Sequence, residues 1–266
     1  MRALAISLML FGLLSAIHVL EPVDAEVNEA DAIYIGEIGP GQTISILMDE
    51  EVETGGKYGI GGIYDLASFG KVPEGWHGIK SKLHDHPLHV ALTADPEADE
   101  GSYLAQIVVA DENNADGLGN VSFWVKVDIT HDVMDADIEP AEIKTGPGQP
   151  ARFELTIKNK GSTGDTFEIS SIGAKRWEFE RTVFVPAKSS KKIYYEIVAN
   201  EEETYNAQIS IKSSAGPTII HEDKNITVDI RSDIIGDMKA TNNGVIIFPI
   251  FESLIYSFFG LISNIF

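Results

Sequence analysis

The densest collection of groups able to do chemistry lies at residues 77–89, HGIKSKLHDHPLH, where four of the chain's seven histidines fall within thirteen positions. Imidazole nitrogens beside a carboxylate suit borderline metals such as Zn²⁺ or Cu²⁺. On an extended backbone His84 and His86 share a face, and a turn at Pro87 brings His89 near. The spacing therefore predicts a divalent-metal centre on His84, Asp85, His86 and His89, and the same imidazoles would make the loop responsive to pH. The plainer reading is a surface loop that has collected histidines, because a structural zinc site requires four convergent ligands that spacing alone does not establish.

Other candidates are weaker. The acidic segments 95–100 and 111–116 offer oxygens for Ca²⁺, and 112–117, ENNADG, resembles the start of an EF-hand loop. Phe123 stands where that loop needs its final Glu, so solvated turns are the expectation. The glycine-rich run 55–62, GGKYGIGG, fits neither phosphate-loop spacing and is expected to be a flexible loop only. No nucleophile-elbow or zinc-protease motif is present, no carboxylate pair stands out for glycoside hydrolysis, and no enzyme or cofactor is expected. Asn120-Val121-Ser122 and Asn225-Ile226-Thr227 are N-glycosylation triplets; Asn also suits a turn entering a strand.

The elements that carry these residues repeat. Gly39-Pro40-Gly41-Gln42 returns 107 positions later as Gly146-Pro147-Gly148-Gln149. Trp76 matches Trp177, Tyr103 matches Tyr205, and Asn120 is aligned with Asn225, at offsets of 101, 102 and 105. Landmarks in one order at nearly one offset predict two copies of a unit, each long enough to bury its own core. Period-two alternation is plain in 123–129, where Phe123, Val125, Val127 and Ile129 oppose Trp124, Lys126 and Asp128, and again in 153–158. Further strands are expected near 33–38, 43–48, 88–94, 102–110, 166–170, 182–185, 192–198, 207–213 and 226–230, with no helical period between 26 and 231. Short strands punctuated by Gly, Pro, Asn and Ser predict an all-β chain of two tandem immunoglobulin-like β-sandwiches. The boundaries are 26–131 and 132–231, with Trp177 and Trp76 as core plugs.

The order of a Pro-Gly turn, FELTIKNKGSTGDTFEI, a Trp, VFVPAKSSKKIYYEIVA and a Tyr-led strand resembles the immunoglobulin-like modules of archaeal and bacterial surface proteins. The group it is most similar to is the NEW3 domain, first described beside α-galactosidases. KVPEGW and DPEADEGSY in the first unit carry that group's phrases; the second unit departs, with Arg176 before Trp177 and Glu203-Thr204 before Tyr205. The resemblance spans about residues 30–231. It implies a non-catalytic spacer or adhesive domain and transfers no catalytic residue.

Residues 1–25 read as a secretory signal, with Arg2, an apolar run over 4–20, and small residues at Val23-Asp24-Ala25 before the cut; an uncleaved anchor is the alternative. From Glu26 onward the net charge is −20, of which 26–131 carries −14. Such a field repels phosphate backbones, so nucleic acid is not expected as a partner. After the polar linker 232–244, residues 245–266 are mostly apolar. As a helix from Ile250 they would reach about 25 Å, just short of a bilayer core. Ser253, Ser257, Gly260 and Asn264 would form one stripe, facing a partner helix or, if the helix lies flat, water. A membrane anchor, an interfacial helix and packing on the sandwiches all remain open. Together these features predict a non-catalytic, membrane-tethered protein of the extracellular face, whose modules act as a stalk or platform for other envelope proteins or glycans. The alternative is an extracellular metal- or carbohydrate-binding protein using residues 84–89 or an exposed aromatic such as Trp124.

Overall fold

The structure, a computed structural model, describes residues 17–27, 32–174 and 176–232. The expected core of the signal segment and the apolar tail at 245–266 lie outside the described residues. The first sandwich contains β1 (His18–Glu21), β2 (Ala25–Glu26), β3 (Ile33–Ile38), β4 (Thr43–Met48), β5 (Glu51–Val52), β6 (Gly62–Ile63), β7 (Leu66–Lys71), β8 (His77–Ile79), β9 (Leu88–Thr93), β10 (Gly101–Ala110) and β11 (Asn120–Ile129). The second contains β12 (Met134–Glu139), β13 (Glu142–Thr145), β14 (Pro150–Asn159), β15 (Asp165–Ile172), β16 (Glu180–Val185), β17 (Ser190–Val198), β18 (Thr204–Ser213) and β19 (His221–Ile230).

Sheets ordered β2-β1-β4-β9-β8 and β3-β11-β10-β7 face each other in the first module; β12-β14-β17 and β13-β19-β18-β15-β16 do so in the second. Alternation creates both cores. Ile44, Ile46 and Val90 point inward from one sheet to meet Ile107, Val109, Phe123 and Val125 from the other. Phe153, Leu155 and Ile157 meet Phe167, Ile209 and Val228 in the same way. The two cores share no residue, so each module buries its own apolar surface.

Both modules begin with one device. β1 pairs antiparallel with β4; the chain then passes Glu21-Pro22 and crosses to the other sheet, where β3 runs parallel to β11. In the second module β12 pairs with β14, Glu139-Pro140 follows, and β13 runs parallel to β19. Proline has no N–H to give a ladder, which suits a point where the chain leaves one sheet for the other. Both Glu-Pro bonds are cis. The modules differ at one shared strand, since β8 hydrogen-bonds β9 whereas its counterpart β16 hydrogen-bonds β15, and the first module adds β2 and the β5–β6 pair.

Three expectations change. Residues 17–25, assigned above to the signal, belong here to the first sandwich: Ile17 and Val19 are fully buried, so the module starts before Glu26. Asn120 opens β11, but Asn225 lies in mid-strand opposite Gln208. Tyr103 sits opposite Val127 and Tyr205 opposite Val228, so the matching positions are 101 apart and Asn225 corresponds to Trp124. The two acceptor asparagines are therefore not equivalent. The glycine-rich run is also pinned: Lys57 N donates to Asp116 O at 2.6 Å and Gly61 N to Gly55 O at 3.1 Å.

Candidate functional site

The histidines do not converge. His84, at φ +56°, holds Nδ1 2.8 Å from Asp65 Oδ1, while His86 holds Nδ1 2.5 Å from Glu50 Oε1. His89 stands exposed on β9 opposite Leu47, and Asp85 makes no joint ligand set with them. Among the described residues no three His, Cys, Asp or Glu side chains gather as metal ligands. His84 and His86 are each spent on a separate carboxylate from the β4–β7 region, a pairing between distant stretches that local spacing could not announce.

The acidic loop at 111 has a structural task. Asp111 is buried, and its carboxylate accepts the backbone N–H groups of Ala115, Asp116 and Leu118 at 2.8, 3.1 and 3.1 Å. Oxygens committed to three amides close the loop, as an Asx turn does. Asp116 Oδ2 in turn accepts Ile63 N at 2.8 Å, fastening this loop to β6. Asn120 and Asn225 are both exposed.

The most highly organised polar site joins the two modules. The turn at Gly39-Pro40-Gly41-Gln42 is closed by Gln42 N donating to Gly39 O, with Gly41 at φ +74°. Gln42 is 2% exposed; its Oε1 accepts Gly39 N at 2.8 Å, and its Nε2 donates to Asp165 Oδ2 of the second module at 2.6 Å. Ser213, wholly buried, donates its hydroxyl to the same oxygen at 2.7 Å, and Thr166 N donates to Asp165 Oδ1 at 2.7 Å. Around this centre Ser162 N donates to Glu37 O, Glu37 N to Ser162 Oγ and Thr163 Oγ1 to Thr43 O, at 2.7, 3.0 and 2.6 Å. Gly39 sits against Val133 and Ile220, so an apolar contact flanks the polar one. A carboxylate with its lone pairs filled in this way fixes direction as well as distance, and a buried network that is fully satisfied specifies one arrangement.

The same turn recurs at the far end of the second module. Gln149 N donates to Gly146 O at 3.1 Å, with Gly148 at φ +74°. Thr130 N reaches Ile38 O as the chain leaves the first module, and Arg231 N reaches Thr145 O as it leaves the second. Both modules thus release the chain beside this turn. The difference lies in the glutamine: Gln149 Oε1 accepts Thr145 Oγ1, while its Nε2 is buried without a hydrogen-bond partner.

An aromatic cleft of about 330 Å³ lies on the second module, lined by Trp177, Phe179, Arg181, Ile193, Tyr194 and Tyr195. Tyr195 donates to Trp177 O at 2.7 Å, and burial pushes its phenol pKa up. Tyr194 is half exposed with the Arg152 guanidinium 3.9 Å from its ring centre. Both expected tryptophans are packed against a tyrosine: Trp76 on Tyr103 at 5.1 Å and Trp177 edge-on to Tyr205 at 5.3 Å. Trp76 is 7% exposed, whereas Trp177 stays at the core margin; Trp124, expected as an exposed aromatic, is half-buried beside Gln106.

No known family matches the sequence. No curated protein matches it either. The solved structures similar to it include β-sandwich domains of immunoglobulin, fibronectin III and CARDB type. A chimeric titin Z1Z2 carrying a decorin peptide aligns over 82% of this chain and 98% of its own, at 10% identity and TM-score 0.38. The fibronectin(III)-like modules of Clostridium thermocellum CbhA align over 81% and 94%, at 10% identity and TM-score 0.27. The CARDB domain of PF1109 from Pyrococcus furiosus, solved with di-metal ions, aligns over 37% and 94%, at 15% identity and TM-score 0.29. The described residues form an all-β pair of tandem immunoglobulin-like sandwiches, an assignment that rests on their own strand pairing.

Proposed function

We propose that this chain is a non-catalytic, membrane-tethered protein of the extracellular face, whose two sandwiches act as a single stiff spacer and interaction platform in a cell envelope. The observation that carries this reading is the buried contact of Gln42 with Asp165 and Ser213, which gives the module pair a fixed direction. A flexible linker would serve a binding module equally well; a satisfied polar seam serves a part that must hold a distance. The likeness to NEW3 domains and the apolar sequence at 245–266 support the surface and tether parts of the reading. Among the described residues no helix is long and apolar enough to cross a membrane. Fractionation tests the tether: full-length chain should stay in an alkaline-carbonate-washed membrane pellet, while a chain ending at Asn243 should not. Release of both would sink the tether.

A second reading, glycan binding, is favoured by the aromatic cleft at Trp177 and Tyr194 rather than by the histidine loop. Aromatic faces bordered by Arg and Glu suit sugar rings. Glycan-array binding that disappears in Trp177→Ala and Tyr194→Ala would establish it; no binding by the native chain would end it.

A further inference from the structure

β1 bears on where a secreted form of this chain is cut. Val19 and Glu21 pair with Met48 and Leu47 of β4, Asp49 N donates to His18 O at 2.8 Å, and Val27 N donates to Ile17 O at 2.8 Å. Ile17 and Val19 are fully buried in the first core. The second module shows that this is no accident of an adjacent apolar segment. There β12 occupies the same place against β14, buries Met134, Ala136 and Ile138, and is followed by the same Glu-Pro and by a strand parallel to β19, as β3 is parallel to β11, although β2 intervenes in the first module. β12 lies deep within the chain and cannot be a leader remnant, so β1 is the first strand of its module. A cut after Ala25 would remove Ile17 and Val19 from the core and strip β4 of its outer neighbour, leaving an open sheet edge.

Assigning 17–21 to the sheet also changes how the preceding sequence reads. The apolar run contracts to residues 3–16. As a helix it would span about 21 Å, well short of the roughly 30 Å of a bilayer core, yet it fits the apolar stretch of a signal peptide. It ends in Leu14-Ser15-Ala16, with small residues next to the scissile bond. Val23-Asp24-Ala25 fits the small-residue rule at least as well, so sequence favours the later bond and the fold favours the earlier one. The peptidase acts before the module folds, so folding does not shield the later bond; a chain cut there simply lacks a strand.

We propose that signal peptidase cleaves between Ala16 and Ile17, so that the processed chain begins at Ile17 and keeps β1. The step is hydrolysis: one water adds across the bond, leaving a carboxylate on Ala16 and a free amino group on Ile17. The proposal rests on the secretion part of the reading above. N-terminal peptide mapping by mass spectrometry on full-length protein from a secreting host tests it. The expected N-terminus is Ile17, with Ala16→Leu accumulating precursor and Ala25→Leu processed normally. An N-terminus at Glu26, or a block by Ala25→Leu alone, overturns the site while leaving secretion intact. Intact Met1 on membrane-exposed protein overturns the site and the cleaved-signal reading together. Independently, a chain begun at Ile17 should unfold cooperatively with both cores, whereas one begun at Glu26 should lose the first module's transition.

Discussion

Asp165 shows how one side chain can set the geometry of a larger body. Its two oxygens take Gln42, Ser213 and a backbone amide, with Gln42, Asp165 and Ser213 all buried. Removing the carboxylate strands buried donors on both modules, so Asp165→Ala is expected to lower stability by about 3 kcal/mol in urea unfolding. Asp165→Asn, which keeps an acceptor, should lose about half of that. On the wet face of β10 and β11, Ser102 Oγ donates to Asp128 at 2.5 Å, and with Lys126 it holds that carboxyl below its usual pKa. A depressed folded-state value means that the stabilisation is present above the ordinary carboxylate range and is lost as pH falls through the folded pKa. Ser102→Ala should raise the Asp128 midpoint in a carboxyl NMR titration; an unchanged midpoint would remove the hydrogen bond as its main cause. At the histidine loop, the separate pairing of His84 and His86 leads to the expectation that Zn²⁺ titration gives no stoichiometric uptake. A one-to-one isotherm abolished by replacing His84, His86 and His89 with alanine would reverse that conclusion.

At the scale of elements, the two Gly-Pro-Gly-Gln turns make a controlled comparison. Both central glycines have φ +74°, where an L side chain is strained. A Cβ at Gly148 would meet only Asn200 Oδ1 at 3.3 Å, but one at Gly41 would stand 2.2 Å from Ala215 O across the seam. Gly148→Ala should therefore cost about 1–2 kcal/mol, the backbone strain alone. Gly41→Ala should cost about 3 kcal/mol and loosen the modules; equal losses in calorimetry would mean that the seam does not press on this turn. Strands with bulky alternation, such as β3, β4 and β11, were legible in the sequence because their inward residues are large and their wet faces polar. β12 carries the same alternation in Met134, Ala136 and Ile138, but the small Ala136 at its centre and three intervening carboxylates masked it. β1 was hidden because an apolar strand following an apolar leader has no boundary in composition. β2, β5, β6 and β8 have two or three residues each and are formed by pairing alone.

For the whole molecule, the sequence repeat revealed two modules, with the turn at Gly39 as one of its landmarks. What the turn touches was not legible: Gln42 and Asp165 are 123 residues apart, and no periodicity links a glutamine in one repeat to an aspartate in the next. The separate pairing of His84 and His86 was illegible for a related reason, since Asp65 and Glu50, which hold them, come from outside the histidine run. The seam is thus a relation between modules, and the stiffness proposed for it can be measured. Because the chain has no cysteine, Leu104→Cys and Val198→Cys, one exposed strand position in each module, allow specific spin labelling. Electron–electron double resonance between them should give one narrow distance distribution, broadened when Gln42→Ala and Asp165→Ala are added. A distribution already broad with the seam intact, or one unaffected by those substitutions, would contradict the stiff-spacer account.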